Sequence, residues 1–299
     1  MKSVENIITL ARERTNNTTY NATSGISQSL CVEFLNDGQS HLQTSIINQY
    51  PQEFVEEYTV NIVANQQAYD LPENTFGGGR IIGVYYSCSG YDRDYERLAP
   101  RSLLEKDLSE TSYPLYYVRA NGKIYPNPVP ASANGTLKVL YYRELDVLDV
   151  SKGIVTSQAS STLTFSGGHT ITAADEYVSI NSPLGVPLLY AGQISSVTAT
   201  TIVLVNAITT YLVDGYVAAD LVGGKAVAGK YATTHSKLPN ICEKYLRTYL
   251  QKRMMSKDSN SDDIGEDNEL KDQLAAILTS YSQPTEDVYG IPIIDPWSL

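Results

Sequence analysis

Apolar positions recur at helical spacing near both ends of this chain and at strand spacing between them. Val4, Ile7, Ile8 and Ala11 share one face of a helix over residues 3–14, with Ser3 placed to cap it and Glu5 in its first turn. After an Asn/Thr-rich break at 15–24, Leu30, Phe34, Leu35, Leu42 and Ile46 mark a second helix. It should stop near Tyr50, because Pro51 disfavours helical geometry in the residue before it. The widest stripe comes late, where Leu238, Ile241, Cys242, Tyr245, Leu246, Tyr249, Leu250 and Met254 repeat at i, i+3, i+4, i+7 and i+8. A stripe that wide needs a partner, and the N-terminal helices supply one, so the two ends are expected to form a single helical bundle. Leu270, Leu274, Ile277 and Leu278 predict one more, shorter helix.

Between the ends the period changes. In YTVNIVA, Tyr58, Val60, Ile62 and Ala64 alternate with their neighbours, and RIIGVYYS and GTLKVLYYRE continue in β-branched and aromatic residues. Asn121-Gly122 between YYVRA and KIYP is the strongest short-range hairpin signal. Residues 56–152 therefore predict an antiparallel β region, with one short helix over Leu98–Leu108 that carries Pro100 in its first turn. Residues 153–228 are sparse in charge and read as short strands (STLTF, EYVSI, GQISSVTATTIVLV, GYVAADL) punctuated by Gly167-Gly168, Gly185, Asp214-Gly215 and Gly223-Gly224. That spacing suits a small barrel or sandwich inserted before the last helices. The fold class is α+β: N-terminal helices over 1–55, the antiparallel region over 56–152, the inserted all-β domain over 153–228, C-terminal helices over 229–283 and an extended tail over 284–299.

Composition narrows the function. No window approaches the roughly 20 apolar residues of a membrane span, and the charged N-terminal run is too short for a signal segment, so synthesis in the cytoplasm is expected. Cys31, Cys88 and Cys242 are scattered without a CxxC pair and read as buried small hydrophobes rather than a disulfide framework or zinc site. The net charge is −11, and residues 257–299 hold ten Asp and Glu against two Lys. Such a chain is poorly suited to grip DNA through phosphates, although it can surround DNA without holding it.

Nothing in the pattern declares catalysis. His41, His169 and His235 form no HExxH or HxH pair, and Gly77-Gly78-Gly79-Arg80 lacks both the GK[ST] ending and the helix of a phosphate loop. Asp92, Asp94 and Glu96 alternate with Arg93, Tyr95 and Arg97, which favours a mixed-charge strand or turn over a calcium loop. No nucleophile elbow or Cys/His constellation stands out, so no catalytic residue, metal or cofactor is assigned. Tyrosine is the exception to this quiet picture. There are 23 Tyr against four Phe, ten of them between Tyr85 and Tyr142, and their large apolar body with a polar tip suits surfaces shared by separately soluble subunits.

Taken in order, the AYDLP turn, the RIIGVYY strand, the LAPRS segment, the YPLYY strand, the NGKIYPNP hairpin and the closing YYRE strand resemble the head-to-tail adaptor (connector, or ring) proteins of tailed bacteriophages. The likeness spans about a quarter of the chain and is a scaffold signature. It implies a non-enzymatic virion protein at the head–tail junction, present as a head-to-tail ring of about twelve copies under the portal protein. Downstream tail or nozzle proteins would attach to it, and double-stranded DNA would pass through without specific binding. It also directs attention to the tail, where Tyr289, Ile291, Ile293, Ile294, Trp297 and Leu299 stand among three prolines. Large apolar groups in a segment that cannot be helical are expected at a portal or subunit interface. The main alternative is an adhesive or carbohydrate-binding virion component, a tail fibre or head decoration, with 153–228 as its binding module. A glycan hydrolase is disfavoured because no carboxylate pair declares itself.

Overall fold

The computed structural model describes residues 2–15, 26–88, 94–105, 113–259 and 268–282. The chain divides into two compact units, one made of Met1–Tyr50 with Val147–Leu299 and the other of Pro51–Asp146. Helices α1 (Val4–Arg14), α2 (Gln28–Gln49), α4 (Cys242–Ser259) and α5 (Asn268–Ser282) belong to the first unit, and α3 (Phe76–Gly79), a single turn, to the second.

In the first unit both chain ends contribute to one helical layer, as their stripes predict. Hydroxyls cap the first two helices: Ser3 accepts from the Asn6 N–H at 3.4 Å and Ser27 from that of Leu30 at 3.2 Å. Ile7, Ile8 and Ala11 of α1, Leu35, Leu42 and Ile46 of α2, and Leu246, Leu250 and Met254 of α4 are all buried. The buried edge of α2 runs through Cys31, Leu35, Gly38 and Leu42, while Leu30 and Phe34 are only partly covered. Gly38 explains the offset. A Cβ there would lie 2.9 Å from the Tyr249 ring, so α4 presses its tyrosine against bare backbone of α2. Phe34 is left to lie beneath the Arg253 guanidinium, 5.9 Å from its ring centre. Ile241 falls off the predicted stripe, precedes α4, and is 45% exposed.

The same unit carries a closed six-stranded barrel. Its strands are β10 (Gly153–Ala159), β11 (Thr162–Phe165), β12 (Tyr177–Asn181), β13 (Pro187–Val197), β14 (Thr201–Leu204) and β15 (Lys225–Ala228), joined in the order β10-β11-β14-β13-β12-β15 and closed by Gly153 pairing with Ala226. Val155, Leu163, Phe165, Val178, Ile180, Leu189, Ile202 and Leu204 fill it. Beside it β9 (Val147–Leu148) runs parallel to β16 (Ala232–Thr233). The other edge of β9 is closed by a side chain. Asn36 of α2 accepts from the Leu148 N–H at 2.7 Å and donates to the Leu148 carbonyl at 2.9 Å, as a second strand would.

The second unit has two four-stranded sheets where a single antiparallel region was expected. One has the order β1 (Val55–Asn61), β8 (Thr136–Tyr142), β3 (Ile81–Ser87), β4 (Glu96–Arg97) and is wholly antiparallel. The other has the order β2 (Tyr69–Asp70), β7 (Lys123–Asn127), β6 (Tyr116–Ala120), β5 (Ala99–Arg101), with β5 parallel to β6. Val84, Leu137 and Val139 of the first meet Tyr69, Tyr117 and Ile124 of the second in one core. The expected helix over Leu98–Leu108 does not form: Ala99–Arg101 is strand, Leu103–Glu105 a single 3-10 turn, and residues 106–112 lie outside the described residues. Pro100 fits an edge strand as well as a first helical turn because it needs no ladder donor there. Leu103 and Leu104 are exposed, so these leucines do not pack on the sheet as the expected helix required.

Candidate assembly surface

The segments that carry the adaptor-like pattern meet one another in the second unit. Asn121 and Gly122, at φ 51° and 71°, form the two-residue turn joining β6 to β7 with the positive angles a primed hairpin requires. The AYDLP turn docks on that hairpin through Leu71 N–H to the Gly122 carbonyl at 3.0 Å, Tyr69 opposite Ile124, and an Asp70–Lys123 ion pair at 2.7 Å. The buried Tyr69 hydroxyl accepts from the Val63 N–H at 2.9 Å, pinning the chain between β1 and β2.

The YYRE strand ends in a charged network that the sequence reading left without a role. Arg143 donates to Glu56 at 2.6 Å and to Asp146 at 2.9 Å, and the Tyr141 hydroxyl donates to Glu56 at 3.1 Å. Arg143 thereby ties β1 to the end of β8 and neutralises Asp146, whose side chain is 2% exposed. Burial lowers the arginine's proton affinity, and the two carboxylates more than restore it. Burial first, then the Glu56 charge, pushes the Tyr141 phenol up from 10.0 to about 12. A pKa raised on folding gives stability that is complete below the unfolded value and is lost as pH rises through the folded one. Wild-type stability should therefore fall between about pH 10 and 12, with about 2–3 kcal/mol traceable to Tyr141. In urea unfolding at pH 8 and pH 11.5, Tyr141→Phe should be less stable than wild type by about 1 kcal/mol at the lower pH and more stable by about 1 kcal/mol at the higher, since wild type alone loses about 2 kcal/mol over that interval. A deficit independent of pH would refute the assignment.

Several tyrosines expected at interfaces serve the fold. Tyr86 donates to the Asn134 carbonyl at 3.2 Å, Tyr95 shares a hydrogen bond with Thr136 at 2.7 Å, and Tyr117 and Tyr141 are buried. Among the described residues of this unit, the large exposed apolar groups are instead Val63, Leu103, Leu104, Tyr113 and Leu115, with Leu104 95% exposed. Of the sheet edges, β2 and β4 are two residues long and β5 is interrupted by Pro100. Among the described residues the seven-residue β1 pairs on one side only, with β8, and is the longest of these edges, so it is the one suited to strand addition. The six tail residues singled out from sequence, Tyr289, Ile291, Ile293, Ile294, Trp297 and Leu299, lie outside the described residues.

The remaining candidates resolve into structural roles. His41 shares a hydrogen bond with the Tyr245 hydroxyl at 2.8 Å, His169 packs edge-on to Phe165 at 4.7 Å, and His235 bonds Thr234 at 2.9 Å. Among the described residues no group of three or more His, Cys, Asp or Glu could hold a metal ion, and no helix is long and apolar enough to cross a membrane. Cys31 and Cys242 are buried as expected, but Cys88 is exposed at the end of β3. Asp92 lies outside the described residues, while Glu96 and Arg97 form β4.

The family model for the SU10 adaptor protein matches residues 3–165, more than half of the chain. The chain belongs to the SU10 adaptor protein family. No curated protein matches it significantly. The SU10 adaptor match takes in α1, α2, both sheets of the second unit, and the barrel only as far as β11. The phage-adaptor likeness drawn from the AYDLP-to-YYRE segments thus extends over the N-terminal helices as well.

Proposed function

We propose that copies of this SU10 adaptor family member close into a ring beneath the portal of a tailed-phage head, serving as a DNA conduit and a platform for tail attachment. The family match over residues 3–165 carries the reading. The open β1 edge and the exposed Leu103, Leu104, Tyr113 and Leu115 are in keeping with heterologous contacts between neighbours. A net charge of −11 suits a channel that repels phosphates, so that a genome passes without stalling. The tail residues Tyr289, Ile291, Ile293, Ile294, Trp297 and Leu299 anchor the ring to the portal or to an adjacent copy, and many simultaneous attachments strengthen each weak one. Deleting 284–299 should leave the melting temperature of the monomer unchanged and abolish co-sedimentation with portal-bearing heads. Undiminished attachment by the truncated chain would exclude the tail as the anchor.

A second reading has one observation in its favour: the family match ends at residue 165, so β12 to β15 lie beyond it. The barrel then has a binding role of its own, adhesion to a carbohydrate or cell surface. Because Gly153 and Ala226 are register partners, a short Gly/Ser linker can replace 153–228. The shortened chain should stay folded and still attach to heads. Loss of adsorption to cells with attachment intact would favour adhesion, and collapse of the helical layer would show that the barrel is integral to it.

A further inference from the structure

Three exposed arginines of the second unit, Arg80, Arg97 and Arg119, form no ion pair with any carboxylate among the described residues. They are strung along one short stretch of backbone. Arg119 donates to the Gly78 carbonyl at 3.2 Å, Arg97 donates to the Ile82 carbonyl at 3.4 Å, and Arg80 between them lies over the Tyr142 ring at 5.1 Å. Arg97 and Arg119 also both bear on the Tyr117 phenol, where their charges offset part of the upward push of burial. The glycine turn seats one of these cations. Gly77 and Gly78 adopt left-handed geometry, Gly79 has φ +118°, and a Cβ on Gly79 would lie 2.5 Å from the Arg119 guanidinium. GGGR is therefore a cradle for an arginine, and a guanidinium has five donors, more than the single Gly78 carbonyl engages.

We propose that Arg80, Arg97 and Arg119 receive the C-terminal segment 284–299 of a second copy, an inference that rests on the ring reading above. That segment holds Glu286, Asp287 and Asp295, no Lys, Arg or His, and the aromatic residues Tyr289 and Trp297. Guanidinium groups bind carboxylates in bidentate fashion and stack on aromatic faces, so the charge and the ring content of the two partners match. The net charge of −11 opposes association of two copies, and an arginine cluster meeting an acidic segment offsets that repulsion where they touch.

The test is a charge swap in the full chain, read by analytical ultracentrifugation of the purified chain for copy–copy association, by sedimentation with portal-bearing heads for attachment, and by circular dichroism for folding. Arg80→Glu/Arg97→Glu/Arg119→Glu should weaken copy–copy association about tenfold or more while the chain keeps its native circular dichroism, a lower melting temperature reflecting the lost contacts to Gly78, Ile82 and Tyr142. Glu286→Arg/Asp287→Arg/Asp295→Arg should do the same, and the two sets combined should restore association. A combined variant no better than either parent, or an arginine variant that associates normally, overturns this contact while leaving the ring reading intact. A wild-type chain that forms no ring removes both. If the arginine variant loses only retention on a DNA duplex, the anion is nucleic-acid phosphate and the proposed contact is wrong.

Discussion

Replacing Arg143 by methionine should lower the unfolding free energy by about 3–5 kcal/mol, the range for removing one partner of a buried charge pair. Arg143 holds Glu56 at 2.6 Å and Asp146 at 2.9 Å, and the Asp146 side chain is 2% exposed. Without the guanidinium, Asp146 must stay charged and unpaired or take up a proton, and both carry a free-energy penalty. Most of the loss is thus the stranded carboxylate rather than the net worth of the pair. Adding Asp146→Asn to the methionine variant should recover part of it. Urea denaturation of the two variants checks both statements, and a loss under about 1 kcal/mol for Arg143→Met would mean that the network adds little to the second unit.

Truncation of Leu246 to alanine should cost about 2–5 kcal/mol, as expected for a fully buried leucine. Leu246 is 0% exposed and sits on α4 between Cys242 and Leu250, both equally buried, where α4 packs against α1 and α2. The cost belongs at the high end if the site cannot collapse, and the close approach of Tyr249 to Gly38 limits how far α4 can move inward. Thermal and chemical unfolding of the purified monomer measure it. A change below about 0.5 kcal/mol would contradict a bundle built from both chain ends.

Much of the architecture was legible because it is written in local periodicity. The stripes of α1 and α4, the Asn121-Gly122 turn, and the glycine-punctuated strands of the barrel each announce themselves within a dozen residues. What escaped depends on partners far away in sequence. Asn36 closes the edge of β9 from 112 residues away, and no pattern around Asn36 distinguishes it from any other helix-surface amide. The rotation of the α2 stripe onto Cys31 and Gly38 is set by Tyr249 of another helix. Ala99–Arg101 is strand because β6 offers it a parallel partner, which no local pattern announces. The Arg143 network had a signal in the YYRE segment, but its partners Glu56 and Asp146 come from β1 and from the loop after β8, so only the fold joins them. The arginine cradle is hidden likewise, since Arg119 reaches the Gly78 carbonyl from 41 residues away.

The central claim is that this SU10 adaptor family member assembles as a ring on the portal. Its most direct test is electron cryomicroscopy of portal-bearing heads incubated with the purified chain. The account predicts a closed ring of about twelve copies around the portal opening, coaxial with a central channel wide enough for duplex DNA. Heads that remain bare, or that carry the protein scattered over the capsid surface or as single copies, would contradict it.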